Sequence, residues 1–282
     1  MSRISGAARL AGVVGDPIAH SLSPRLMRFW IEALDLDALY APYAVSATGF
    51  APFVEGLACS HVAGLNVTLP HKESALALAD TASDAAKRIG AANLLTFDAG
   101  KIHADNTDGI GFLAALKPAS IKYRQSTALI LGAGGASRAL VHALLTSGIS
   151  RLILANRSRS RAERLVDEIA PMAAVIDWDR KDDVLAEADL VINATSLGLK
   201  GVDPLKLDWK RAKPGTVAFD SVYTPLETEF LKGARACGLT GIDGLDMLIG
   251  QARPSFRAFF GREAPILPPV RPALIESLGD EA

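Results

Sequence analysis

Short apolar runs alternate with helical patterns along the first part of the chain. Strand-like runs lie at Arg9–Val14, Leu39–Val45 and Gly64–Leu69, and helical patterns lie between them at Pro24–Leu34 and Phe50–Ala58. Strands that alternate with helices in this way form βαβ units, whose strands pair in parallel. The pattern therefore predicts an α/β domain built on a mostly parallel sheet.

The same alternation resumes after a polar, proline-containing segment at Lys117–Ser126, where we place a domain boundary. A second domain is expected over residues 118–245, with strands at Thr127–Leu131, Arg151–Ala155, Ala174–Trp178, Leu190–Ala194 and Thr216–Ser221. From Gly244 onward the pattern is helical, and Pro254 should kink or split this helix because proline lacks a backbone N–H. Periodicity alone does not assign the last helices, residues 246–282, to either domain.

The first strand of the second domain runs into a glycine-rich turn that contains Gly132, Gly134 and Gly135. Glycine tolerates positive φ and lets backbone N–H groups approach an anion closely at the start of a helix. A strand, such a turn and a helix are typical of the pyrophosphate-binding half of a dinucleotide fold. A glycine turn alone is also common at ordinary strand-to-helix connections.

The residues after the next strand indicate which dinucleotide binds. Asn156, Arg157, Ser158 and Arg161 stand where an NAD-binding protein carries an acid for the ribose hydroxyls. Two guanidinium groups suit the 2′-phosphate of NADP, and each charge-assisted hydrogen bond contributes about 1.5–3 kcal/mol. The whole series predicts a Rossmann-type domain that prefers NADP over NAD by about two to four orders of magnitude before solvent screening. Taken alone, the two arginines also fit solvated helix charges.

The overall composition narrows the class of ligand. The 282 residues carry 30 basic and 31 acidic side chains, for a formal net charge of −1, and 49% of them are hydrophobic. This balance favours a small-molecule substrate over nucleic acid or a membrane surface, in a monomer or a homodimer. Cys59 and Cys237 match no metal-ligand spacing and are interpreted as packing residues. With no long apolar segment, we expect a cytoplasmic protein without a metal site.

Candidate chemistry lies in two loops that follow predicted strands of the first domain. Ser21 and Ser23 are two residues apart, so both hydroxyls can face one ligand, but Ser23 also fits an ordinary cap of a helix that begins at Pro24. Further along, Thr68 is followed by Lys72 in the first turn of the next helix. The helix dipole disfavours a cation there by about 0.3–1 kcal/mol, so Lys72 is either a solvated side chain or a functional one.

Two further polar residues precede the boundary. Asn93 lies in GAANLLTF, and Asp108 lies in ADNTDGIGF at the start of a predicted helix. A helix cap or a turn is the ordinary role for an acid at such a position. Open α/β sheets bind ligands beyond the carboxyl ends of their strands, so we expect the reaction centre in a cleft between the two sheets.

In combination these segments resemble the shikimate dehydrogenase family, whose members interconvert shikimate and 3-dehydroshikimate with NADP(H). The resemblance covers nearly the whole chain and rests, in order, on HSLSP, NVTLPHK, GAANLL, NTDGIGF, GAGGASRA, NRSRSR, NATSLG, DSVYTP and DGLDML, followed by Gln251. It implies that the C-terminal helices, residues 246–282, return to the N-terminal domain of residues 1–117. The chain departs from the common family pattern at Ser221, Asp246, Arg253–Pro254 and Phe259.

The resemblance also implies a role for each matching residue. The substrate carboxylate is expected on Ser21 and Ser23, helped by Tyr223, and the rest of the substrate on Thr68, Lys72, Asn93, Asp108 and Gln251. The pyrophosphate is expected on Gly132, Ala133, Gly134, Gly135 and Ala136, the adenosine ribose and its 2′-phosphate on Asn156, Arg157, Ser158 and Arg161, and the nicotinamide end on Thr195 and Gly244. Lys72 and Asp108 form the expected catalytic pair.

Oxidation of a secondary alcohol requires a group that takes the hydroxyl proton as hydride leaves the same carbon. Lys72 is interpreted as this relay and Asp108 as the group that orients it, while the sequence leaves open which of the two transfers the proton. The alternatives are a quinate or aminoshikimate dehydrogenase and a catalytically silent, NADP-binding regulatory protein. Ser23 and Arg157 favour shikimate and NADP, and the presence of both Lys72 and Asp108 favours an enzyme.

Overall fold

In a computed structural model, which describes residues 4–279, the chain forms two compact units. The first unit contains the residues up to Thr107 together with those from Ile249 onward, and the second is Asp108–Leu248. Each unit is built around one six-stranded sheet. The predicted fold class, two α/β domains with C-terminal helices that return to the first, is confirmed.

The strands of the first unit are β1 Arg9–Gly15, β2 Ala38–Ala44, β3 Val62–Val67, β4 Thr81–Ala82, β5 Leu94–Asp98 and β6 Lys101–Asp105. Their order in the sheet is β2-β1-β3-β5-β6-β4. β1 pairs in parallel with β2 and β3, as predicted, whereas β5 is antiparallel to β3 and β6. The β5–β6 hairpin, absent from the prediction, turns at Ala99 and Gly100, which have φ of 47° and 79°. Two positive φ values are typical of a tight hairpin turn, but alanine is an uncommon residue there and gave no signal.

Four helices accompany these strands, namely α1 Ser23–Ala33, α2 Phe50–Ala58, α3 Lys72–Leu78 and α4 Asp84–Ile89. The bounds of α1 and α2 agree with the predicted helices to within one residue. The buried face of α1 carries Leu26, Met27, Trp30 and Ile31, which recur at helical spacing. Ser83 caps the start of α4, where its side chain accepts a hydrogen bond from the Ala86 N–H.

The second unit is a doubly wound sheet. Its elements are α5 Asp108–Leu116, β7 Thr127–Leu131, α6 Gly135–Thr146, β8 Arg151–Ala155, α7 Arg159–Ile169, β9 Ala174–Ile176, β10 Leu190–Asn193, β11 Val217–Asp220, α8 Glu229–Ala236 and β12 Thr240–Ile242. All its strands pair in parallel, in the order β12-β11-β10-β7-β8-β9. The order reverses between β7 and β10, and this reversal defines the crevice in which doubly wound sheets bind dinucleotides.

Helix α5 belongs to the second unit, although the sequence places the boundary ten or so residues later, after Lys117. Phe112, Ala115 and Leu116 are buried in the same apolar core as Ala128 and Ile130 of β7. The Phe112 ring meets that of Phe219 edge-on, with ring centroids 5.0 Å apart. A polar segment marks where the chain is exposed, not which core the preceding helix joins, so composition alone misses this assignment.

Helices α9 Leu245–Phe260 and α10 Val270–Gly279 end the described chain. Of the two expected effects of Pro254, a kink or a split, the split is wrong, because α9 is one helix that contains Pro254. Phe256 and Phe259, on the far side of the proline, are 0% exposed. Burial of two phenylalanine rings, each worth about 3–5 kcal/mol against alanine, outweighs the cost of about 3 kcal/mol for one proline inside a helix.

Both cysteines differ from the expectation that they pack in a core. Cys59 and Cys237 are exposed free thiols. Each follows the last residue of a helix, α2 and α8 respectively, where the chain turns at the surface. In the described part of the chain, no helix has the length and apolar character needed to cross a membrane. Over residues 4–279, no cluster of three or more His, Cys, Asp or Glu side chains could hold a metal ion.

Candidate functional site

The loop after β1 leads to two serines, of which Ser21 lines a cavity. Ser21 and Ser23 are both half-buried, and the Ser23 N–H donates to the Ser21 Oγ over 3.3 Å. Helix α1 begins at Ser23 itself, its cap position is Leu22, and no side chain caps it. The ordinary reading of Ser23 as a helix cap is therefore wrong. A cavity of about 350 Å³ next to this loop is lined in part by His20, Ser21 and Arg25.

The loop between β3 and α3 places Thr68 and Lys72. The Thr68 N–H donates to the Val14 carbonyl over 3.0 Å, which fixes the loop to the end of β1. Lys72 is half-buried as the first residue of α3, and its carbonyl accepts the Ala92 N–H at 2.8 Å. Backbone bonds thus hold Lys72 beside the residue that precedes Asn93.

His71 is a structural residue of this loop that the sequence analysis did not select. Its side chain is 1% exposed and stacks on the Phe50 ring with centroids 4.5 Å apart. Its Nε2–H donates to the Val45 carbonyl over 2.7 Å, since a carbonyl can only accept. His71 therefore ties the start of α3 to the start of α2 and to the residue after β2.

Asn93, Thr107 and Gln251 form one hydrogen-bonded cluster. The Asn93 Nδ2 donates to the Thr107 Oγ1 over 3.1 Å and to the Gln251 Oε1 over 3.4 Å. The Asn93 Oδ1 accepts the Thr107 N–H at 2.8 Å, and the Thr107 Oγ1 donates to the Gln251 carbonyl over 3.0 Å. The structure thus brings together two of the predicted substrate residues, and the missed residue Thr107 directly precedes Asp108.

Asn66, two residues before the predicted site residue Thr68, forms hydrogen bonds with other residues of the first unit. Its Oδ1 accepts the Tyr40 hydroxyl at 2.7 Å, and its Nδ2 donates to the Asn93 carbonyl and to the Ser255 Oγ over 3.2 and 2.8 Å. Burial raises the pKa of Tyr40 well above 10.0, so this hydroxyl stays protonated and donates. Asn66 therefore joins β2, β3 and α9.

Asp108 is the first residue of α5 and is 1% exposed. The predicted helix start is therefore confirmed, and the position is more buried than an ordinary helix-terminal acid. Thr107, the residue before it, is held by Asn93 and Gln251 as described above. The backbone that leads into Asp108 is therefore held in place by residues of the first unit.

The glycine turn after β7 has the geometry of an anion cradle. Gly132 has φ of 115°, and an added Cβ there would lie 2.8 Å from the Ala194 carbonyl oxygen, so only glycine fits. The Gly134 N–H donates to the buried Ser137 Oγ over 3.2 Å, which fixes the turn at the start of α6. Gly134 is exposed, and Ala133, Gly135 and Ala136 are half-buried. Their backbone is open to a ligand at the positive end of a helix of 12 residues.

The arginines after β8 are not equivalent. Arg159 forms ion pairs with Glu163 and Asp177, both at 2.7 Å. Arg157 and Arg161 are exposed, and among the residues that the structure describes they have no ion-pair partner. These two cations are therefore the ones available to a phosphate dianion.

Asn156 and Ser158 shape the same turn. The Asn156 Nδ2 donates to the Ser158 carbonyl over 2.8 Å, and the Ser158 Oγ lies 3.1 Å from the Ser160 Oγ. The Ser158 side chain makes no capping bond to α7. Its hydroxyl is exposed beside the two unpaired arginines in sequence.

Three predicted site residues follow the strands on the other side of the order reversal. Thr195 lies after β10, Tyr223 after β11 and Gly244 after β12. The Thr195 N–H and Oγ1 both donate to the Asn193 Oδ1, over 3.0 and 2.7 Å. Tyr223 is half-buried in the loop after β11. An added Cβ at Gly244 would lie 2.3 Å from the Ser221 carbonyl oxygen, so this position requires glycine.

Asp220, at the end of β11, is a buried acid that the sequence analysis did not select. It is 0% exposed and accepts hydrogen bonds from the side chains of Asn193 and Thr228. Desolvation by burial raises the pKa of Asp220 from 3.8 to about 6, against the opposing effect of its hydrogen-bond donors. The signal for this residue in the sequence is only that an acid ends an otherwise apolar strand, VAFD.

The second unit has the strand order, the glycine turn and the unpaired arginines of a dinucleotide-binding domain, and the first unit carries hydroxyl, amide and ammonium groups in loops at strand ends. These features define a dinucleotide-dependent α/β oxidoreductase as the class of protein. The chain belongs to the shikimate dehydrogenase family. Family models match the chain as the shikimate dehydrogenase substrate binding domain over residues 13–95, as shikimate / quinate 5-dehydrogenase over residues 114–202 and as the shikimate 5'-dehydrogenase C-terminal domain over residues 244–275.

Similar proteins support this membership along the whole chain. A relative from Maricaulis maris named shikimate dehydrogenase (NADP(+)) is 60% identical over 275 residues, which cover 98% of each chain. The structure of shikimate 5-dehydrogenase from Thermus thermophilus, in complex with NADP(H) and shikimate, has a TM-score of 0.84 and 35% identity, covering 97% of this chain and 99% of that one. Quinate dehydrogenase from Corynebacterium glutamicum, in complex with NAD, has a TM-score of 0.86 and 30% identity, covering 97% and 99%.

Proposed function

We propose that this protein is an NADP-dependent shikimate dehydrogenase, which reversibly reduces 3-dehydroshikimate to shikimate on the route to chorismate and the aromatic amino acids. The observation that carries the proposal is the full-length relative with 60% identity that bears this name. The two unpaired arginines after β8 and the two serines at the start of α1 give the same answer from the chemistry of the chain itself.

The substrate residues of the first unit suit a carboxylate on a ring with several hydroxyls. Ser21 and Ser23 donate hydroxyl groups to the carboxylate, and Tyr223 of the second unit assists. Thr68, Lys72, Asn93, Asp108 and Gln251 bind the ring hydroxyls. The Asn93 side chain is already bonded to Thr107, and the Gln251 side chain accepts a bond from Asn93, so little side-chain freedom is lost when the substrate binds. A site that pairs several hydroxyls rejects analogues without them, because its buried polar groups would remain unpaired.

The second unit fits NADP. Gly132 has no room for a Cβ beside the Ala194 carbonyl oxygen, a Cβ at Gly134 would enter open space, and the backbone of Ala133, Gly134, Gly135 and Ala136 would hold the pyrophosphate. Arg157 and Arg161 bind the 2′-phosphate, with Asn156 and Ser158 at the ribose. Thr195 and Gly244 line the nicotinamide end. Hydride is exchanged with the nicotinamide ring when NADP is bound.

Proton transfer is assigned to the first unit and the start of α5. Lys72 takes the hydroxyl proton of shikimate as the carbon is oxidised and returns it in the reverse direction. Asp108 orients the Lys72 amino group, which must be neutral to accept the proton, and the hydroxyl. The half-buried position of Lys72 at the first residue of α3, fixed through its own carbonyl and through His71, suits a group that must be held in place.

The setting of the enzyme follows from the same proposal. Its partner is a small-molecule substrate, not nucleic acid, and the protein acts as a monomer or a homodimer. A cytoplasmic location accords with two free thiols at its surface and with a cofactor of biosynthetic reduction. Sedimentation of the purified protein distinguishes monomer from dimer.

A quinate dehydrogenase is the second candidate, because a structural neighbour with that name shares the fold at 30% identity. Ser23 and Arg157 favour shikimate and NADP over quinate and NAD. A catalytically silent regulatory protein is a third reading, which the presence of Lys72 and Asp108 opposes.

The test is an assay of NADP reduction by the purified protein, with shikimate and with quinate, and with NADP and with NAD. We expect the kcat/KM for shikimate with NADP to exceed each of the other combinations by about a hundredfold, which corresponds to about 2.7 kcal/mol. Higher kcat/KM with quinate or with NAD would support the second candidate. Binding of NADP without turnover of either substrate would identify a silent protein.

A further inference from the structure

Three loops meet at the carboxyl ends of β10, β11 and β12. The loop after β10 carries Thr195, the loop after β11 carries Tyr223, and Gly244 precedes α9. In the proposed function, Thr195 and Gly244 line the nicotinamide end, and Tyr223 assists in binding the substrate. All three loops are connected to Asp220 by short chains of hydrogen bonds.

Asp220 accepts a hydrogen bond from each of three donors. Its Oδ1 accepts the Asn193 Nδ2–H at 2.9 Å and the Val222 N–H at 3.0 Å. Its Oδ2 accepts the Thr228 hydroxyl at 2.7 Å. The carboxyl therefore contacts the loop after β10, its own loop and the start of α8.

The partners of Asp220 lead directly to the proposed site residues. Asn193 accepts both donors of Thr195, and its Nδ2 donates to Asp220 and, over 3.0 Å, to the Leu197 carbonyl, so Asp220 helps to orient the amide that holds Thr195. Val222 precedes Tyr223, and its carbonyl accepts the Gly244 N–H at 3.2 Å. One carboxyl thus fixes all three loops within two links.

This arrangement is costly for a purely structural purpose. An ionised carboxylate at 0% exposure loses its hydration, which is why the pKa of Asp220 is raised. The carboxylate of Asp243, which accepts the Leu245 N–H at 3.0 Å, raises it further. A neutral or apolar side chain would fill the same space at lower cost.

We propose that Asp220 is a positioning residue, which holds Thr195, Tyr223 and Gly244 in the geometry that the nicotinamide half of NADP requires. The inference rests on the proposed function. It assigns no contact between Asp220 and cofactor or substrate. Its effect spares the adenosine end, because the glycine turn is held by the bond from the Gly134 N–H to Ser137 and the turn after β8 by the bond from Asn156 to the Ser158 carbonyl.

The test compares Asp220→Ala, the isosteric Asp220→Asn and a matched control, Thr216→Val. Thr216 is 0% exposed and directly precedes the same strand, and its hydroxyl proton is shared between the Ala188 and Lys213 carbonyls, at 2.8 and 2.9 Å. The control therefore loses buried hydrogen bonds of comparable number far from the three loops. Circular dichroism confirms that each variant is folded.

The readouts are kcat, the KM for shikimate, and the Kd values of NADP and of adenosine 2′,5′-bisphosphate, which lacks the nicotinamide half. Misplacement of a reacting group by about 1 Å costs about a hundredfold in rate. We expect kcat to fall about a hundredfold in Asp220→Ala and about tenfold in Asp220→Asn, whose amide keeps two of the three bonds. The Kd of NADP should rise about tenfold in Asp220→Ala, while that of adenosine 2′,5′-bisphosphate stays within twofold. The KM for shikimate should rise less than the Kd of NADP, because Tyr223 only assists Ser21 and Ser23 in binding the substrate carboxylate.

Three results would overturn the inference. The first is wild-type kcat and NADP affinity in Asp220→Asn and in any folded Asp220→Ala. The second is a loss of affinity for adenosine 2′,5′-bisphosphate as large as the loss for NADP. The third is a loss of kcat in Thr216→Val as large as that in Asp220→Ala. If the wild-type protein binds NADP but does not oxidise shikimate, the proposed function fails separately. The comparison of the two Kd values then still decides the role of Asp220.

Discussion

At the scale of single residues, the ion pairs after β8 separate arginines that the sequence alone treats alike. The string NRSRSR contains three arginines, and only Arg159 is neutralised by neighbouring acids. In the sequence, Arg157 and Arg161 are indicated by their position, where an NAD-binding protein carries an acid, and the family resemblance implies the same two residues. The side-chain contacts supply the physical reason for the same selection.

Removal of Arg157 and Arg161 together should change the preference for the cofactor. We expect the double alanine variant to raise the KM for NADP about a hundredfold, because two charge-assisted bonds are lost at an exposed site, and to leave the KM for NAD within threefold. Steady-state kinetics with both cofactors measure this. Arg159→Ala is the matched control and should change neither value more than threefold. Equal weakening of NADP and NAD in the double variant would remove the assignment of the 2′-phosphate site.

Ser21 and Ser23 give a second test at this scale. Neither caps α1, so their joint replacement by alanine should leave the fold intact and raise the KM for shikimate about a hundredfold, through two lost bonds to a carboxylate. The KM for NADP serves as the internal control and should stay unchanged. If the KM for shikimate also stays unchanged, the carboxylate binds elsewhere.

Asp220 predicts a pH dependence of stability. Its pKa is about 6 in the folded protein against an ordinary 3.8, so the folded state holds its proton more tightly than the unfolded state does. Stability is therefore lost as the pH rises from about 4 to about 6, by about 3 kcal/mol in total, and stays low above that range. Asp220→Asn lacks this loss. The difference in Tm between Asp220→Asn and wild type should therefore be more favourable to the variant at pH 7 than at pH 4. Thr216→Val should show no such trend with pH. A trend of the opposite sign in Asp220→Asn would contradict the raised pKa.

At the scale of elements, the periodic strands and helices could be predicted from the sequence, whereas one hairpin and the continuity of one helix could not. The parallel strands β1, β2 and β3 and the helices between them follow from apolar periodicity, and so does the doubly wound second sheet. The β5–β6 hairpin escaped because its turn uses Ala99 and Gly100, not a residue pair that marks a hairpin. The continuity of α9 through Pro254 depends on buried rings that lie far away in the sequence, which local propensity does not include.

The residues of the candidate site also fall into those that the sequence could predict and those that it could not. Loop residues with exposed polar groups, such as Ser21, Arg157 and Thr195, could be selected from motifs. Buried polar residues could not, because His71, Thr107 and Asp220 act through hydrogen bonds to partners that only the folded chain brings close. A sequence pattern indicates where a ligand is bound more readily than it indicates what holds the binding residues in place.

Docking of α9 on the first sheet depends on Asn66. Asn66→Leu should lower the free energy of unfolding of this unit by about 3 kcal/mol, because the Tyr40 hydroxyl and the Ser255 Oγ would lose a buried partner. Ser255→Ala, the milder control, should cost about 1 kcal/mol because Asn66 keeps its two other bonds. Urea denaturation followed by tryptophan fluorescence, with Trp30 packed against Phe256 of α9, measures both. An Asn66→Leu protein as stable as Ser255→Ala would show that packing alone docks the helix.

At the scale of the whole molecule, each unit has its own sheet and its own share of the proposed chemistry. The first unit carries the serines, Lys72 and the Asn93 cluster, and the second carries the glycine turn and the arginines. The chain leaves the first unit at Thr107 and returns at Ile249 within α9. The alternation of apolar and helical patterns, interrupted by the polar segment Lys117–Ser126, predicted two α/β domains, but the assignment of α5 to the second unit needed the packing of Phe112.

The measurement that tests the central claim most directly is the kcat of Lys72→Ala for shikimate oxidation, with shikimate binding measured on the same protein. General acid–base catalysis contributes about 10²–10⁴-fold, so kcat should fall about a thousandfold while the Kd of shikimate rises less than tenfold. Lys87→Ala, which removes an exposed lysine from α4, should behave as wild type. A Lys72→Ala enzyme with wild-type kcat would contradict the assignment of Lys72 as the proton relay.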